Sequence, residues 1–335
     1  MIYTDPHAFA PALLAQIERA TRILILTHIN PDGDAIGSLL AVSHLLTGLG
    51  KQSIPLASSP QPGYTTWLPG ADKIVVYQPG MALPEVDLVF MVDTATLMRV
   101  GRIYDEHAQE LTSLPIVIVD HHVTNDGAGK VNLIVPEAAS TCELLTELFQ
   151  AMEQPITPEM ATCLLMGVTT DTQSFQTSAT TSSSLRIAAD LLDLGAEQNR
   201  VVREVYFSLP ASSAELIGTA LCEMRRDGPI AWARVTLAMM RATSAEDEAV
   251  DEVVRMMQRV GGVRALVMFK ERSDGTTKLS LRSVQPINVA VLAQRWGGGG
   301  HAQAAGATLH MSPEQAEREV LPQLRALVAE ESFKF

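Results

Sequence analysis

Three apolar runs in the first half of the chain are each followed at once by acidic or histidine side chains. These polar stretches are residues 28–34 (HINPDGD), Asp93, and residues 120–122 (DHH). A fourth carboxylate, Asp171, ends an apolar stretch with helical spacing. Charged and imidazole groups beside a core are costly to desolvate unless something compensates their charge. Bound divalent metal ions are the compensation that suits these side chains.

The apolar runs themselves predict the fold of the first half. Strands are predicted at residues 22–27, 53–57, 87–92 and 116–119, and helices at 34–50, 141–152, 158–169 and 183–194. Strands that alternate with helices indicate βαβ units and a mainly parallel sheet. Ligands of such sheets bind beyond the carboxyl ends of the strands, where His28, Asp93 and Asp120 fall.

The second half has a different pattern. A helix at residues 198–206 is followed by the helix-breaking sequence Ser208-Leu-Pro-Ala. Later helices are predicted at 214–224 and 246–258, with strands at 230–235, 263–270 and 278–282 and a last helix capped by Ser312. A chain of 335 residues is long for one core. We expect an α/β protein with a parallel-sheet domain at 1–195, a linker at 196–212 and a smaller α/β domain at 213–335.

Composition restricts the partners. The net charge of −13 argues against broad binding to duplex DNA. The apolar stretches are shorter than a membrane span, and the N-terminal residues lack the pattern of a signal peptide. Three cysteines, Cys142, Cys163 and Cys222, cannot form a disulfide framework and are expected in the core. We expect a cytoplasmic protein that does not bind membranes.

The stretch at residues 28–34 predicts a metal site in its own right. His28, Asp32 and Asp34 lie on a strand-to-helix turn, where Pro31 and Gly33 let alternate side chains converge. The helix that follows also offers backbone N–H groups to a phosphate. A single aspartate after a strand is more often a turn or cap residue. Four such positions together favour a metal centre instead.

The motifs resemble those of a known family. HINPDGDAIGS at 28–38, Asp93 with Arg99, DHH at 120–122 and GVTTD at 167–171 are similar to the four motifs of the DHH phosphoesterases. The sequence GGGGHAQAAG at 297–306 resembles the hallmark of the GGGH-type DHH-associated domain. Within the superfamily, the best match is the nanoRNase/adenosine 3′,5′-bisphosphate phosphatase family, called NrnA.

The resemblance implies two divalent metal ions, with Mn²⁺ expected and Mg²⁺ or Co²⁺ as alternatives. The first metal would be held by His28, Asp32 and Asp93. The second would be held by Asp34, Asp93, His121 and Asp171. Asp93 would therefore bridge the two ions.

The resemblance also implies catalytic roles beside the metals. His122 would contact the scissile phosphate or protonate the leaving oxygen, and Asp120 would orient an imidazole. One position departs from the family pattern, because Gln173 stands where a glycine usually follows the motif Asp171-Thr. We expect this glutamine to narrow the turn or to add a contact.

Substrate binding is expected to involve the glycine run. Glycines allow close backbone approach to a ligand, so Gly298, Gly299, Gly300 and His301 would form a nucleotide-binding loop facing the metals across an interdomain cleft. A flexible linker is the alternative. Arg282 is the candidate clamp for a far phosphate. The resemblance implies that Arg99 assists phosphate binding. The alternative is that Arg99 is a solvated residue in a loop.

The leading hypothesis is an enzyme that trims RNA fragments of a few nucleotides and dephosphorylates adenosine 3′,5′-bisphosphate. Its partners would be short RNA and small phosphorylated nucleotides, and a homodimer is expected by analogy. The alternatives are a phosphodiesterase for cyclic or linear dinucleotides and a non-catalytic nucleotide sensor. The sensor is disfavoured because all the expected metal ligands are present. An inorganic pyrophosphatase is disfavoured by the GGGGH segment.

Overall fold

A computed structural model describes residues 1–332 of the chain. The chain divides into two compact units, of which the first spans Met1–Ser208 and the second begins at Leu209. Each unit has its own sheet and its own buried apolar clusters. Within residues 1–332, no helix has the length and apolar character needed to cross a membrane.

The first unit contains a parallel sheet and seven α-helices among its described residues. Its strands are β1 (Ile2–Tyr3), β2 (Arg22–Leu26), β3 (Gln52–Ala57), β4 (Val75–Val76), β5 (Leu88–Val92), β6 (Ile116–Asp120) and β7 (Val131–Ile134). Its helices are α1 (Pro6–Arg19), α2 (Gly33–Gly48), α3 (Arg102–Ser113), α4 (Thr141–Ala151), α5 (Pro158–Asp171), α6 (Ser182–Asp193) and α7 (Gln198–Tyr206). The strand order is β1-β7-β6-β5-β2-β3-β4, and all neighbours are parallel.

The central strands are apolar because helices cover both faces of the sheet. All five residues of β5 are buried, as are those of β6. Side chains on the two faces belong to separate clusters, so that Phe90 packs on one side and Val89 and Met91 pack on the other. Val201 of α7 also lies in the first cluster, and the unit therefore extends past α6.

The second unit has a mixed sheet. In chain order its elements are α8 (Ala211–Cys222), β8 (Arg225–Asp227), β9 (Ile230–Val235), α9 (Leu237–Thr243), α10 (Ala249–Gln258), β10 (Ala265–Glu271), β11 (Thr277–Ser283), α11 (Ala290–Ala293), β12 (Gly299–His301), β13 (Ala304–Leu309) and α12 (Pro313–Ser332). The strand order is β12-β13-β11-β10-β9-β8. Only the β9–β10 pair of this sheet is parallel in the described residues.

Most of the predicted elements are confirmed within a few residues. A hairpin turn joins β10 to β11, with Gly275 at φ +78°. Ser312 and Gln315 exchange the two hydrogen bonds of a capping box ahead of α12. The prediction for Cys222 is wrong, because this residue ends α8 on its exposed side, whereas Cys142 and Cys163 are buried.

Candidate active site

The strand order brings the predicted ligands to one edge of the first sheet. Strand β5 lies between β2 and β6. His28 follows β2, Asp93 follows β5 and His121 follows β6, so all three side chains leave the carboxyl ends of adjacent parallel strands. The chain moves outward in one direction from β2 to β3 and β4, and in the other from β5 to β6 and β7. The site therefore lies at the switch point of the sheet, where ligands of such folds bind.

One group of possible metal ligands is formed by His28, Asp32 and Asp93, whose ligand atoms lie within 4.8 Å of one another. His28 Nε2 is 3.4 Å from Asp93 Oδ2 and 4.0 Å from Asp32 Oδ1. The other ring nitrogen, Nδ1, is 2.9 Å from the carbonyl oxygen of Ile29. A proton held at Nδ1 by this carbonyl leaves Nε2 to bind a metal.

A second group is formed by Asp34, His121 and Asp171, again within 4.8 Å of one another. His121 Nε2 is 3.3 Å from Asp171 Oδ2 and 3.5 Å from Asp93 Oδ1. Asp93 thus presents Oδ2 toward His28 and Oδ1 toward His121. The shared position of this carboxylate is the arrangement that a bridging ligand requires.

The backbone at Asp93 is unusual. Its φ of +52° lies in the left-handed region, which aspartate and asparagine tolerate better than other non-glycine residues. The side chain is buried, with 2% of the residue exposed. The turn after β5 therefore directs a carboxylate back over the strand end instead of into solvent.

His122 is held by a hydrogen-bonded chain of side chains. Its Nδ1 is 2.8 Å from Asp120 Oδ1. The other oxygen of Asp120 accepts a hydrogen bond of 2.6 Å from Asn125 Nδ2, which also donates to the carbonyl of Thr94 at 3.1 Å. Because Asp120 occupies Nδ1, Nε2 is the nitrogen that His122 can offer to a substrate. The hydrogen bond with Asp120 raises the pKa of His122 despite its partial burial.

The carboxylates of the cluster repel one another in a buried environment. Burial, followed by the charge of Asp93, raises the pKa of Asp34 to about 7. Burial and then the charges of Asp34, Asp32 and Asp93 raise the pKa of Asp171 well above its ordinary value. The histidines of the site therefore do not fully offset the effect of burial and of repulsion between the carboxylates on these two pKa values.

His28 and Asp93 stabilise each other. Burial opposes protonation of His28, but its hydrogen bond with Asp93 and the charges of Asp93 and Asp32 outweigh burial and raise the pKa to about 9. Burial also acts to raise the pKa of Asp93, yet the hydrogen bond from His28 and the charges of the three histidines lower it. A proton on His28 thus supplies positive charge beside Asp93, which a bound metal cation would otherwise supply.

The donor set suits divalent metal ions of the manganese or magnesium type. It consists of carboxylate oxygens and imidazole nitrogens, and Cys142, the buried thiol beside Asp34, donates toward backbone oxygens instead. Divalent cations would also compensate the repulsion that raises the pKa of Asp34 and Asp171. The residues present therefore fit such ions.

The metal-free protein is expected to lose stability as pH rises from about 6.5 to about 9. His28 holds its proton more tightly when folded than at its ordinary pKa of 6.5, so this contribution is present below 6.5 and lost above 9. It amounts to on the order of 3 kcal/mol. Asp34, raised from 3.8 to about 7, acts in the same direction at lower pH.

Urea unfolding in the presence of a chelator at pH 6, 7.5 and 9 measures how the free energy of unfolding changes with pH. In a His28→Gln variant, most of the decrease above pH 7 should disappear. Metal affinity should rise over the same range because metals displace these protons. Stability that is constant or increases with pH would contradict the assignment.

Glycines explain the close approach of helix α5 to the site. A Cβ at Gly167 would lie 2.3 Å from Asp34 Oδ1 and 2.3 Å from Cys142 Sγ, and one at Gly33 would lie 2.5 Å from Thr170 Cγ2.

Gln173 begins three successive residues with left-handed φ, at +49°, +57° and +65°. The glycine usual at this position suits that conformation. The exposed Gln173 accepts a hydrogen bond from Gln176 through its carbonyl.

The predicted substrate residues are divided between the two units. Arg99 is exposed on a 3-10 turn at Leu97–Val100, and its carbonyl accepts a 2.7 Å hydrogen bond from Ile29, next to His28. Arg282 lies on β11 of the second unit, half-buried. Arg99 thus lies beside the stretch that carries His28, and Arg282 lies within the second sheet.

Two residues of the glycine run, Gly299 and Gly300, form part of a strand and not the predicted loop. Gly299–His301 form β12, which pairs antiparallel with β13 at the edge of the second sheet. A Cβ at Gly298 would lie 2.1 Å from the carbonyl oxygen of Gly306, and one at Gly300 would lie 2.4 Å from that of Ala304. The absence of side chains therefore allows this pairing. His301 and Gly300 remain exposed.

Two residues at the site were missed by the sequence analysis. Asn125 orients Asp120, and Thr141 donates hydrogen bonds to Asp34 and Asp93. Asn125 lies three residues after the DHH stretch in a loop, where an asparagine is an ordinary turn residue. Thr141 is the first residue of α4, and the sequence predicted only that a helix begins there.

Comparison with known proteins extends these observations. Residues 22–168 match the DHH family, N-terminal domain, and residues 233–330 match the DHHA1 domain. The chain is 31% identical over 316 residues to the bifunctional oligoribonuclease and PAP phosphatase NrnA of Thermus thermophilus, covering 93% of each protein. It is 28% identical to the cyclic-di-AMP phosphodiesterase PdeA of Listeria monocytogenes, covering 96% of this chain and 50% of that protein.

A solved structure shows the same fold. The exopolyphosphatase-related protein from Bacteroides fragilis superimposes with a TM-score of 0.89 at 26% identity, covering 97% of both chains. The similarity therefore includes both units of the chain.

Proposed function

The chain belongs to the DHH family of metal-dependent phosphohydrolases, and on that premise we propose that it hydrolyses short oligoribonucleotides to mononucleotides and dephosphorylates adenosine 3′,5′-bisphosphate. The observation that carries the proposal is the convergence of His28, Asp93 and His121 at adjacent strand ends, with one oxygen of Asp93 facing His28 and the other facing His121. The 93% coverage of the Thermus thermophilus NrnA supports the choice of substrates.

Two ions would be held by the residues of the two groups. His28, Asp32 and Asp93 would hold one, and Asp34, Asp93, His121 and Asp171 the other. When bound, divalent ions supply Lewis acidity that polarises phosphoryl oxygens and neutralises the charge developing on them. Mn²⁺ is the ion that we propose, and the donor set is also compatible with Mg²⁺.

The remaining residues act on the phosphoester itself. His122, held through Nδ1 by Asp120, offers Nε2–H to the oxygen that leaves phosphorus. Asn125 keeps the second oxygen of Asp120 engaged, so that Asp120 stays oriented toward His122. Arg99, exposed beside the His28 stretch, supplies a guanidinium for a phosphate oxygen. We further propose that Arg282, Gly298, Gly299, Gly300 and His301 of the second unit contact the substrate.

A second candidate is the hydrolysis of cyclic or linear dinucleotides. It is favoured by the match to PdeA, which covers 96% of this chain. Both reactions break a phosphoester bond, and the same two groups of metal ligands would suit either of them.

The test is hydrolysis by metal-stripped protein with Mn²⁺ added back. Four substrates are compared at equal concentration: RNA of about two to five nucleotides, adenosine 3′,5′-bisphosphate, a cyclic dinucleotide and its linear form. Mn²⁺-dependent release of mononucleotides from short RNA, together with phosphate from the bisphosphate, is the expected result. Activity confined to the cyclic or linear dinucleotides would replace the first function with the second. Metal binding without any hydrolysis would reject both.

A further inference from the structure

The N-terminus of α4 holds the two carboxylates that are central to the metal cluster. Asp34 and Asp93 come from different elements, the first turn of α2 and the turn after β5, and both are almost fully buried. Buried carboxylates need hydrogen-bond donors to fix their orientation. Two residues at the start of α4, Thr141 and Cys142, provide these donors.

The contacts divide between backbone and side chain. The backbone N–H groups of Thr141 and Cys142 donate to Asp34 Oδ2 at 2.7 Å and to Oδ1 at 2.9 Å. The positive end of the 11-residue helix α4 favours a carboxylate at this place. The Thr141 hydroxyl donates to Asp93 Oδ1 at 3.1 Å. Thr141 therefore contacts one member of each of the two groups of possible metal ligands.

The hydroxyl contact bears on the rotation of the Asp93 carboxylate. Oδ1 faces His121 Nε2 at 3.5 Å, and Oδ2 faces His28 Nε2 at 3.4 Å. A donor on Oδ1 keeps the carboxylate plane turned so that each oxygen points to one ligand group. Thr141 is itself 0% exposed, so water cannot readily take the place of its hydroxyl.

We propose that Thr141 is a positioning residue that sets Asp93 in its bridging orientation through its hydroxyl, while its backbone N–H fixes Asp34. The proposal rests on the metal binding in the proposed function. Thr141 would act on the metal ligands and not on the metals themselves, because it donates to Asp34 and Asp93 through its N–H and O–H and is not one of the possible ligands.

Thr141→Val is the informative substitution. Valine has nearly the shape of threonine and keeps the backbone N–H for Asp34, but it leaves Asp93 Oδ1 without this donor. Thr141→Ser keeps the hydroxyl and removes the methyl group. Thr146→Val is the matched control, because Thr146 is also fully buried in α4 and its hydroxyl donates only to the carbonyl of Cys142, at 2.8 Å.

The measurement is Mn²⁺ binding to the metal-stripped full chain, followed by the electron paramagnetic resonance signal of free Mn²⁺. Thr141→Val should weaken binding about tenfold or more, the range expected when a group that orients a metal ligand is lost. Thr141→Ser and Thr146→Val should stay within about threefold of the unmodified protein. With Mn²⁺ saturating, Thr141→Val should also lower kcat more than it changes KM.

Unchanged Mn²⁺ binding in Thr141→Val would overturn the proposal, and so would equal losses in the valine and serine variants, which would assign the effect to packing. If the valine variant does not fold, Thr141→Ala takes its place with the same expected loss and the same serine rescue. Absence of Mn²⁺ binding by the unmodified protein would instead reject the metal site itself. Normal binding without hydrolysis would reject the proposed function and leave the role of Thr141 standing.

Discussion

Asp93→Asn is expected to lower kcat for short RNA by about 10³-fold, equivalent to about 4 kcal/mol of transition-state stabilisation. The carboxylate is the one side chain present in both the His28 group and a His121 group of possible ligands. Asparagine keeps one oxygen but loses the charge and one ligand atom. Both ions of the proposed centre are therefore affected by this one substitution.

Asparagine is also the substitution that least disturbs the fold. Residue 93 has φ +52°, a region that asparagine adopts more readily than alanine or serine does. Mn²⁺ should stabilise the unmodified protein against thermal unfolding and have little effect on Asp93→Asn. The exposed Asp72 provides a matched Asp72→Asn control, which should behave as the unmodified protein does. Undiminished hydrolysis in Asp93→Asn would show that the bridging assignment is wrong.

His122→Ala is expected to lower kcat by about 10²- to 10³-fold while Mn²⁺ binding changes little. The imidazole is fixed through Nδ1 by Asp120, and 29% of its side chain is exposed, so its other nitrogen can reach a substrate. This geometry fits the proposed role of His122 as a proton donor to the leaving oxygen. The size of the loss should therefore depend on how much that oxygen needs a proton.

A substrate with an acidic leaving group tests this role. A nitrophenyl ester of a mononucleotide releases a stable anion, so the loss in His122→Ala should shrink to less than about tenfold. Equal losses on RNA and on the nitrophenyl ester would argue for phosphate binding instead of proton donation. Mn²⁺ binding reduced as much as in Asp93→Asn would show that His122 is a metal ligand, because it also lies within 4.8 Å of Asp93 and His121.

The sequence predicted the central strands well because burial on both faces produces continuous apolar runs. Strands β2, β5 and β6 have this pattern, and each was placed within one residue of its observed bounds. Helix α1 was missed, and its sequence contains an internal proline, Pro11. Strand β1 was missed because two residues give no periodicity, and it exists only through pairing with β7.

The glycine run shows the same limit in the second unit. Four glycines predict a loop from local preference alone. The observed strand β12 depends on β13, which supplies its partner backbone, with Gly300 opposite Ala305. Pairing with another segment is a tertiary contact, and local composition does not report it.

The sequence by itself indicated which side chains could bind a metal and that most of them follow strand ends, because charged groups beside apolar runs need compensation. Only the tertiary structure decided that Asp93 lies between two ligand groups, since this follows from the position of β5 between β2 and β6. It also decided that Thr141 donates to Asp93, 48 residues away, and to Asp34, 107 residues away. Hydrogen bonds over such separations depend on how helices and strands pack, and no local pattern in the chain encodes them.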